Sequence, residues 1–186
     1  MDEKVRLGAA QILAPTPVVL VGCAHRELGI NLLTIAWTGV CCSEPPHLHV
    51  SIRPSRFSHR MIKESGCFTV NVPTCELLRQ VDLCGVISGR DGDKFARAAL
   101  TPVSAGSVEA PIIAECPVNF ECRLRHIVPL GAHDMFIGEI VARHADARFV
   151  KEDRVDFARL PLIVYVNGEY WSVGERIGMH GLSKSR

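Results

Sequence analysis

The sequence predicts a mainly β fold, an antiparallel barrel with a few short helices at its periphery. Three observations point there. Six or seven runs read as strands, and they do not alternate with helices in the rhythm that a parallel sheet needs. The runs "PLIVYV" and "EYWSV" flank Asn167-Gly168, a dipeptide suited to a two-residue hairpin turn because both positions tolerate positive φ. No G-x-G-x-x-G follows the first strand-like run, so a Rossmann nucleotide site is not expected.

The elements follow in order. "PVVLVGCA" (17–24) is rich in β-branched residues and reads as a buried strand; "HRELG" turns the chain, and "INLLTIAW" (30–37) returns as its hairpin partner. Pro45 and Pro46 break the chain. "HLHVSI" (47–52) then alternates, with Leu48, Val50 and Ile52 on one face and His47, His49 and Ser51 on the other. After Arg53-Pro54 a short helix is expected, capped by Ser55 or Ser58 and stopped by Gly66. "CFTVNV" (67–72) is the next strand, ended by Pro73. "CELLRQVDLCG" reads as a helix that shares Leu77, Leu78, Val81 and Cys84 on one face, and "DKFARAAL" as a shorter one. "PVNFECRLRHIV" alternates for ten residues, which predicts a long half-exposed strand with Asn119, Glu121, Arg123 and Arg125 on its polar side. "DMFIGEIVARH" continues the sheet, with Gly138 at a bulge or a close approach.

The chain's 186 residues suffice for one domain with a sizeable core, and a single domain over 1–186 is expected. A net charge of +1 is too small for a generic nucleic-acid binder, so any basic cluster acts locally. No run of eighteen apolar residues predicts a membrane span, and "MDEKVRLGAA" lacks a secretory layout, so a cytoplasmic protein is expected. The eight cysteines contain no CxxC pair, which argues against structural zinc and for reduced, mostly buried thiols. His47 and His49 share a strand face, but two histidines alone make a poor metal site, and no metal is expected.

One stretch, "HVSIRPSRFSHRMIKESG" (49–66), gathers arginines and serines where a strand meets the start of a helix. The first amides of a helix have no intrahelical partner, and its dipole favours an anion there. Arg56 adds a planar set of donors and Ser58 a hydroxyl, which together suit one phosphate monoester. Read by itself, the stretch is first of all a capped surface helix with scattered arginines, because such caps are common.

Its neighbours carry a resemblance. Asn31, Thr34, Ala36-Trp37, Pro45-Pro46, Arg56-x-Ser58 and Asn71-Val72-Pro73 follow one another as in the flavin reductase-like family, the FMN-binding split barrels that include flavoredoxins. "SGRDGDKF", "ALTP", "LGAHDMFIGEI" and "YWSVG" resemble its later blocks, so the resemblance covers roughly residues 8 to 175. Cys41, Cys42, Ala99 and Ala132 depart from the family pattern.

The resemblance implies an antiparallel split barrel, bound FMN and a homodimer whose subunits both line the flavin cleft. Backbone amides of residues 34–37 (Thr34, Ile35, Ala36, Trp37) and of Ser51, Ile52 and Arg53 would meet the pyrimidine edge of the ring. Arg56 and Ser58 would hold the 5′-phosphate. Trp37 either walls the flavin or sits in the core. Asn71 bonds the ribityl chain or only nearby backbone. Lys94 approaches the ring or phosphate, or is a solvated helix lysine. His133, a tentative catalytic residue, approaches the flavin or its electron donor, or ends a loop. The implied activity is hydride or electron transfer through FMN, from NAD(P)H to free flavin or another acceptor. Two alternatives stand beside it: an electron carrier served by a redox partner protein without NAD(P)H activity, and a split-barrel ligand-binding protein without turnover. Neither a nucleic acid nor a membrane is an expected partner.

Overall fold

The computed structural model describes residues 3–10 and 13–184. A short strand β1 (Thr16–Pro17) leads into β2 (Val19–His25), which turns back as β3 (Gly29–Ile35). β4 (Thr38–Ser43) and β5 (Pro46–Ile52) form a second hairpin, α1 (Phe57–Ser65) follows, and β6 (Cys67–Val72) returns to the sheet. Next come α2 (Leu78–Val86), α3 (Lys94–Ala98) and a small pair, β7 (Pro102–Val103) with β8 (Ile112–Ile113). A long hairpin joins β9 (Val118–Pro129) to β10 (Asp134–Ala145). After another small pair, β11 (Val150–Lys151) with β12 (Arg154–Val155), the predicted Asn-Gly hairpin forms from β13 (Ile163–Val166) and β14 (Glu169–Ser172). Asn167 at φ 45 and Gly168 at φ 101 make its turn.

The main sheet runs β3-β2-β6-β9-β10-β5-β4, antiparallel at every pairing. Its two edge strands, β3 and β4, are consecutive in the chain and joined only by Ala36 and Trp37. Laid flat, seven strands would hold those edges about 29 Å apart. Three peptide links reach about 11 Å. The sheet must therefore curl until its edges approach. It does not close, because no ladder joins β3 to β4. Beside that seam the β4–β5 ladder extends one residue further, through the Ser51 amide bonded to the Trp37 carbonyl at 2.9 Å.

Curling creates an inside and an outside. Val19, Val21 and Cys23 of β2 point inward with Leu48, Val50 and Ile52 of β5 and with Phe68 and Phe136, and Met61 and Ile62 of α1 pack into the same core. Leu20 and Leu32 point outward into a second core with Val81, Cys84 and Phe95, under α2 and α3. Because β2 is buried on both faces, its sequence is a continuous apolar run rather than an alternation.

Several expectations change. β4 was not predicted: it is an edge strand largely exposed, so burial imposes no alternation on its side chains. Leu78 is exposed, while Val81 and Cys84 carry the packed face of α2. Asn119 and Glu121, expected on a solvated face, are buried because residues 104–113 fold over this part of β9. Asn119 donates to Ile113 O at 3.1 Å, and the Glu121 carboxylate accepts from the amide of Gly106 at 3.0 Å, from that of Ser107, and pairs with His144 Nε2 at 2.6 Å. Gly138 meets both expectations. The β9–β10 register shifts there, and a Cβ would lie 2.6 Å from the Phe68 ring. All eight cysteines are free; Cys41 and Cys42 are exposed and five others buried. No helix among the described residues is long and apolar enough to cross a membrane.

Candidate functional site

A cavity of about 730 Å3 opens where the curled sheet meets the helices. Asn31, Thr34, Ile35, Ala36 and Trp37 line it from β3 and the link beyond. Ser51, Ile52 and Arg53 border it at the end of β5, Arg56 and Ser58 at the start of α1, Lys94 from α3, and His133 from the β9–β10 turn. Residues spread over a hundred positions thus face one space. Asn71 does not. It lies fully buried in the sheet, donating to Leu20 O at 2.9 Å and accepting from the Ile113 amide at 3.1 Å and from Asn119 at 2.9 Å. Its amide ties β6 to β2, β8 and β9, and none of it is left for a ligand.

The start of α1 is built differently from the serine cap expected. Arg56 occupies the cap position with extended backbone, φ −74 and ψ 138, and no side chain caps the helix. Ser58 is already inside the first turn, only 2% exposed, and its Oγ accepts a hydrogen bond from Asn31 Nδ2 at 2.7 Å. Its hydroxyl also lies within hydrogen-bonding reach of the buried Cys23 thiol, so Ser58 is tied to β2 as well as to β3. The uncapped first-turn amides offer donors. Gly66 ends the helix as expected, at φ 69 with its amide on Ile62 O.

Other donors are already committed. The Ser51 amide donates to Trp37 O, so it does not serve a ligand as expected, and the Thr34 hydroxyl donates to the Val81 carbonyl. The Arg53 amide and the Ser51 hydroxyl remain at the end of β5, since Ile52 pairs with Asp134 of β10 and Arg53 O accepts from the Arg56 amide.

The electrostatics are one-sided. Arg53, Arg56, Arg90 and Lys94 line the cavity, and among its described lining residues there is no aspartate or glutamate. Lys94 is only 4% exposed and donates to Cys84 O at 2.6 Å. Burial pulls its pKa down to about 8, and the nearby charge of Arg56 acts in the same direction. His133 stacks at a tilt on Trp37, ring centroids 4.5 Å apart. Burial, then the charge of Arg53, lowers its pKa, which favours neutral imidazole at pH 7. The Cys84 thiol also lines the cavity, but burial raises its pKa, so it is no nucleophile. No metal-ligating group of three or more side chains occurs among the described residues; His47 Nδ1 instead meets Pro45 O at 2.8 Å.

Sequence reasoning missed part of the wall. Ser88, Gly89 and Arg90 complete it ahead of α3, and Tyr165, Asn167 and Gly168 bring in the β13–β14 turn. Arg90 donates to Ser55 O at 3.1 Å and lies over the Phe57 ring, which fixes it against the start of α1. Gly89 approaches so closely that a Cβ would meet Asn31 Oδ1 at 2.6 Å. The signal was present in "SGRDGDKF", a glycine-bearing run with an arginine just before Lys94.

A model of the flavin reductase like domain matches residues 13–174. The chain belongs to the flavin reductase-like family. A solved flavoredoxin of Desulfovibrio vulgaris (Miyazaki F) is 35% identical, with a TM-score of 0.91 over 98% of this chain and 100% of that one. A protein of Archaeoglobus fulgidus with no stated activity is 42% identical over 63% of this chain and 67% of its own. The FMN reductase (NADH) RutF of Stutzerimonas stutzeri is 30% identical over 56% of this chain and 59% of its own. Flavin reductase-like sequences thus match this chain across the β3 to β5 segment and the phosphate-suited helix, where the cavity lies.

Proposed function

We propose that this flavin reductase-like protein is a single-domain FMN oxidoreductase built on a split barrel, working as a homodimer with NAD(P)H as its electron donor. One observation carries the reading: a cavity walled by Trp37 and strand backbone, whose charged lining residues are all cationic and which the uncapped start of α1 borders. Its volume of about 730 Å3 fits the range of cofactor sites, about 300–1,000 Å3. An isoalloxazine asks for an apolar slab and a phosphate for cations, and both are present.

Arg56, Ser58 and the α1 amides would hold the phosphate, with Lys94 and Arg90 adding positive charge. Trp37 would cover the ring, and the backbone at Ala36 and from Ile52 to Arg53 would border its polar edge. FMN held there would supply the two-electron chemistry between a reduced nicotinamide and a flavin or other acceptor. The protein contributes orientation and a positive field that favours negative charge on a ligand. Hydride transfer requires no acid–base pair, in keeping with a cavity lined by no carboxylate.

The likeness to flavoredoxin over the whole chain favours a second reading, an electron carrier served by a partner protein. A spectrum of the purified protein with flavin bands, followed by stopped-flow reduction with NADH or NADPH, separates the two. Bleaching by either nucleotide supports the reductase; a yellow protein reduced by dithionite alone supports the carrier; a colourless protein that takes up no FMN overturns both.

A further inference from the structure

We propose that the cavity contains a second anion subsite, made by Arg53 beside His133 and Trp37, that recognises the phosphate or carboxylate of the second, planar ligand. The inference rests on the FMN reading and deepens it.

Two arginines flank one tight turn. The Arg56 amide donates to Arg53 O at 2.9 Å, so the two residues stand at its opposite ends. They face different neighbours. Arg56 begins α1, and its charge is felt by Lys94. Arg53 follows β5, whose Ile52 pairs with Asp134, which brings Arg53 next to His133 on the adjoining strand end. His133 in turn packs against Trp37.

A single phosphate does not need both groups. Arg56, the helix amides, Lys94 and Arg90 already supply donors and charge around the start of α1. Arg53, at the start of the same turn, is exposed and lines the cavity on the His133 side, where its charge acts on the imidazole, and among the described residues its side chain makes no hydrogen bond or ion pair. An unpaired guanidinium beside an aromatic pair, in a cavity without carboxylates, suits a flat ligand that carries an anionic group. Two sources share that chemistry: the phosphates of a nicotinamide donor and the carboxylate of an aromatic acceptor.

The test uses the FMN-loaded protein, wild type and Arg53→Ala, titrated calorimetrically with NADP+ and with benzoate. Binding of at least one is expected in wild type, weakened about ten- to hundredfold by Arg53→Ala and less by Arg53→Lys. If NADP+ is the ligand affected, the site serves the donor; if benzoate, the acceptor. In the donor case the ratio of kcat/KM for NADPH over that for uncharged 1-benzyl-1,4-dihydronicotinamide falls by the same factor. The proposal is overturned if neither anion binds wild type, if Arg53→Ala leaves binding unchanged, if charged and uncharged donors lose equally, or if the variant loses FMN more than the second ligand. Failure of the FMN reading shows separately, as protein that takes up no FMN.

Discussion

Arg56 and Arg60 sit about one helical turn apart and meet different surroundings. Arg56 lines the cavity, whereas Arg60 turns to solvent and donates to Glu64 at 2.6 Å within its own helix. A bond from a charged donor to phosphate contributes about 1.5–3 kcal/mol. Arg56→Ala is therefore expected to weaken FMN binding by about one to two decades, leave riboflavin binding nearly unchanged, and contrast with a neutral Arg60→Ala. Fluorescence titration with both flavins checks it; equal losses for the two flavins would mean a loosened fold. Lys94 gives a pH signature. Its pKa is 10.5 in the open chain and about 8 when folded. Between these values the unfolded chain holds more protons, so the lysine's burden on stability lifts as pH rises through that window. Lys94→Met is expected to be more stable than wild type at pH 7 by about 1–2 kcal/mol, after allowing for the lost bond to Cys84. Urea denaturation from pH 7 to 10.5 should show the difference shrinking, while FMN affinity at pH 7 falls in the variant. A difference that stays flat or grows with pH would remove the buried-charge account.

Elements are held by close approaches as much as by ladders. The bulge at Gly138 lets β9 and β10 bend around the Phe68 ring, leaving no room for a Cβ at that position. Gly138→Ala is expected to cost about 1–3 kcal/mol through overpacking. A urea midpoint shift with unchanged slope is the signature, and an unchanged midpoint would mean that the Phe68 ring yields freely. Helix α1 shows the opposite economy. It gains no side-chain cap, and the serine expected to supply one instead binds Asn31 across to β3. The helix start thus stays open toward the cavity while Met61 and Ile62 anchor its other face.

The molecule as a whole leaves much apolar surface in water. Leu7 and Leu13 near one end, and Trp171, Val173, Ile177 and Met179 near the other, are exposed. Together with the solvent side of β9, these segments are what a second subunit would cover. Sedimentation at micromolar concentration is expected to give about twice the monomer mass of 20.4 kDa. A stable monomer at that concentration would leave the homodimer without support.

Much of the architecture was legible because its causes are local. Alternation places Leu48, Val50 and Ile52 inside, Gly66 ends α1 through its positive φ, and Asn167-Gly168 makes the turn that its backbone permits. Arg56, Ser58 and Trp37 were legible through their spacing in a family pattern, although the sequence did not say what each touches. Other features depend on what a distant segment brings. Asn119 and Glu121 look solvated until residues 104–113 fold over them, and Asn71 looks available until β8 and β9 take its amide. Arg90 is a loop residue until the chain carries it against Ser55 and Phe57. Periodicity and turn chemistry are written in neighbouring residues, so the sequence determined the buried strands, the Asn-Gly hairpin and the end of α1, but neither the exposed strand β4 nor the uncapped helix start. Burial of polar groups and convergence on one cavity arise between segments far apart in the chain, and only the tertiary structure decided them, through the curl of the sheet and the segment 104–113 folded over β9.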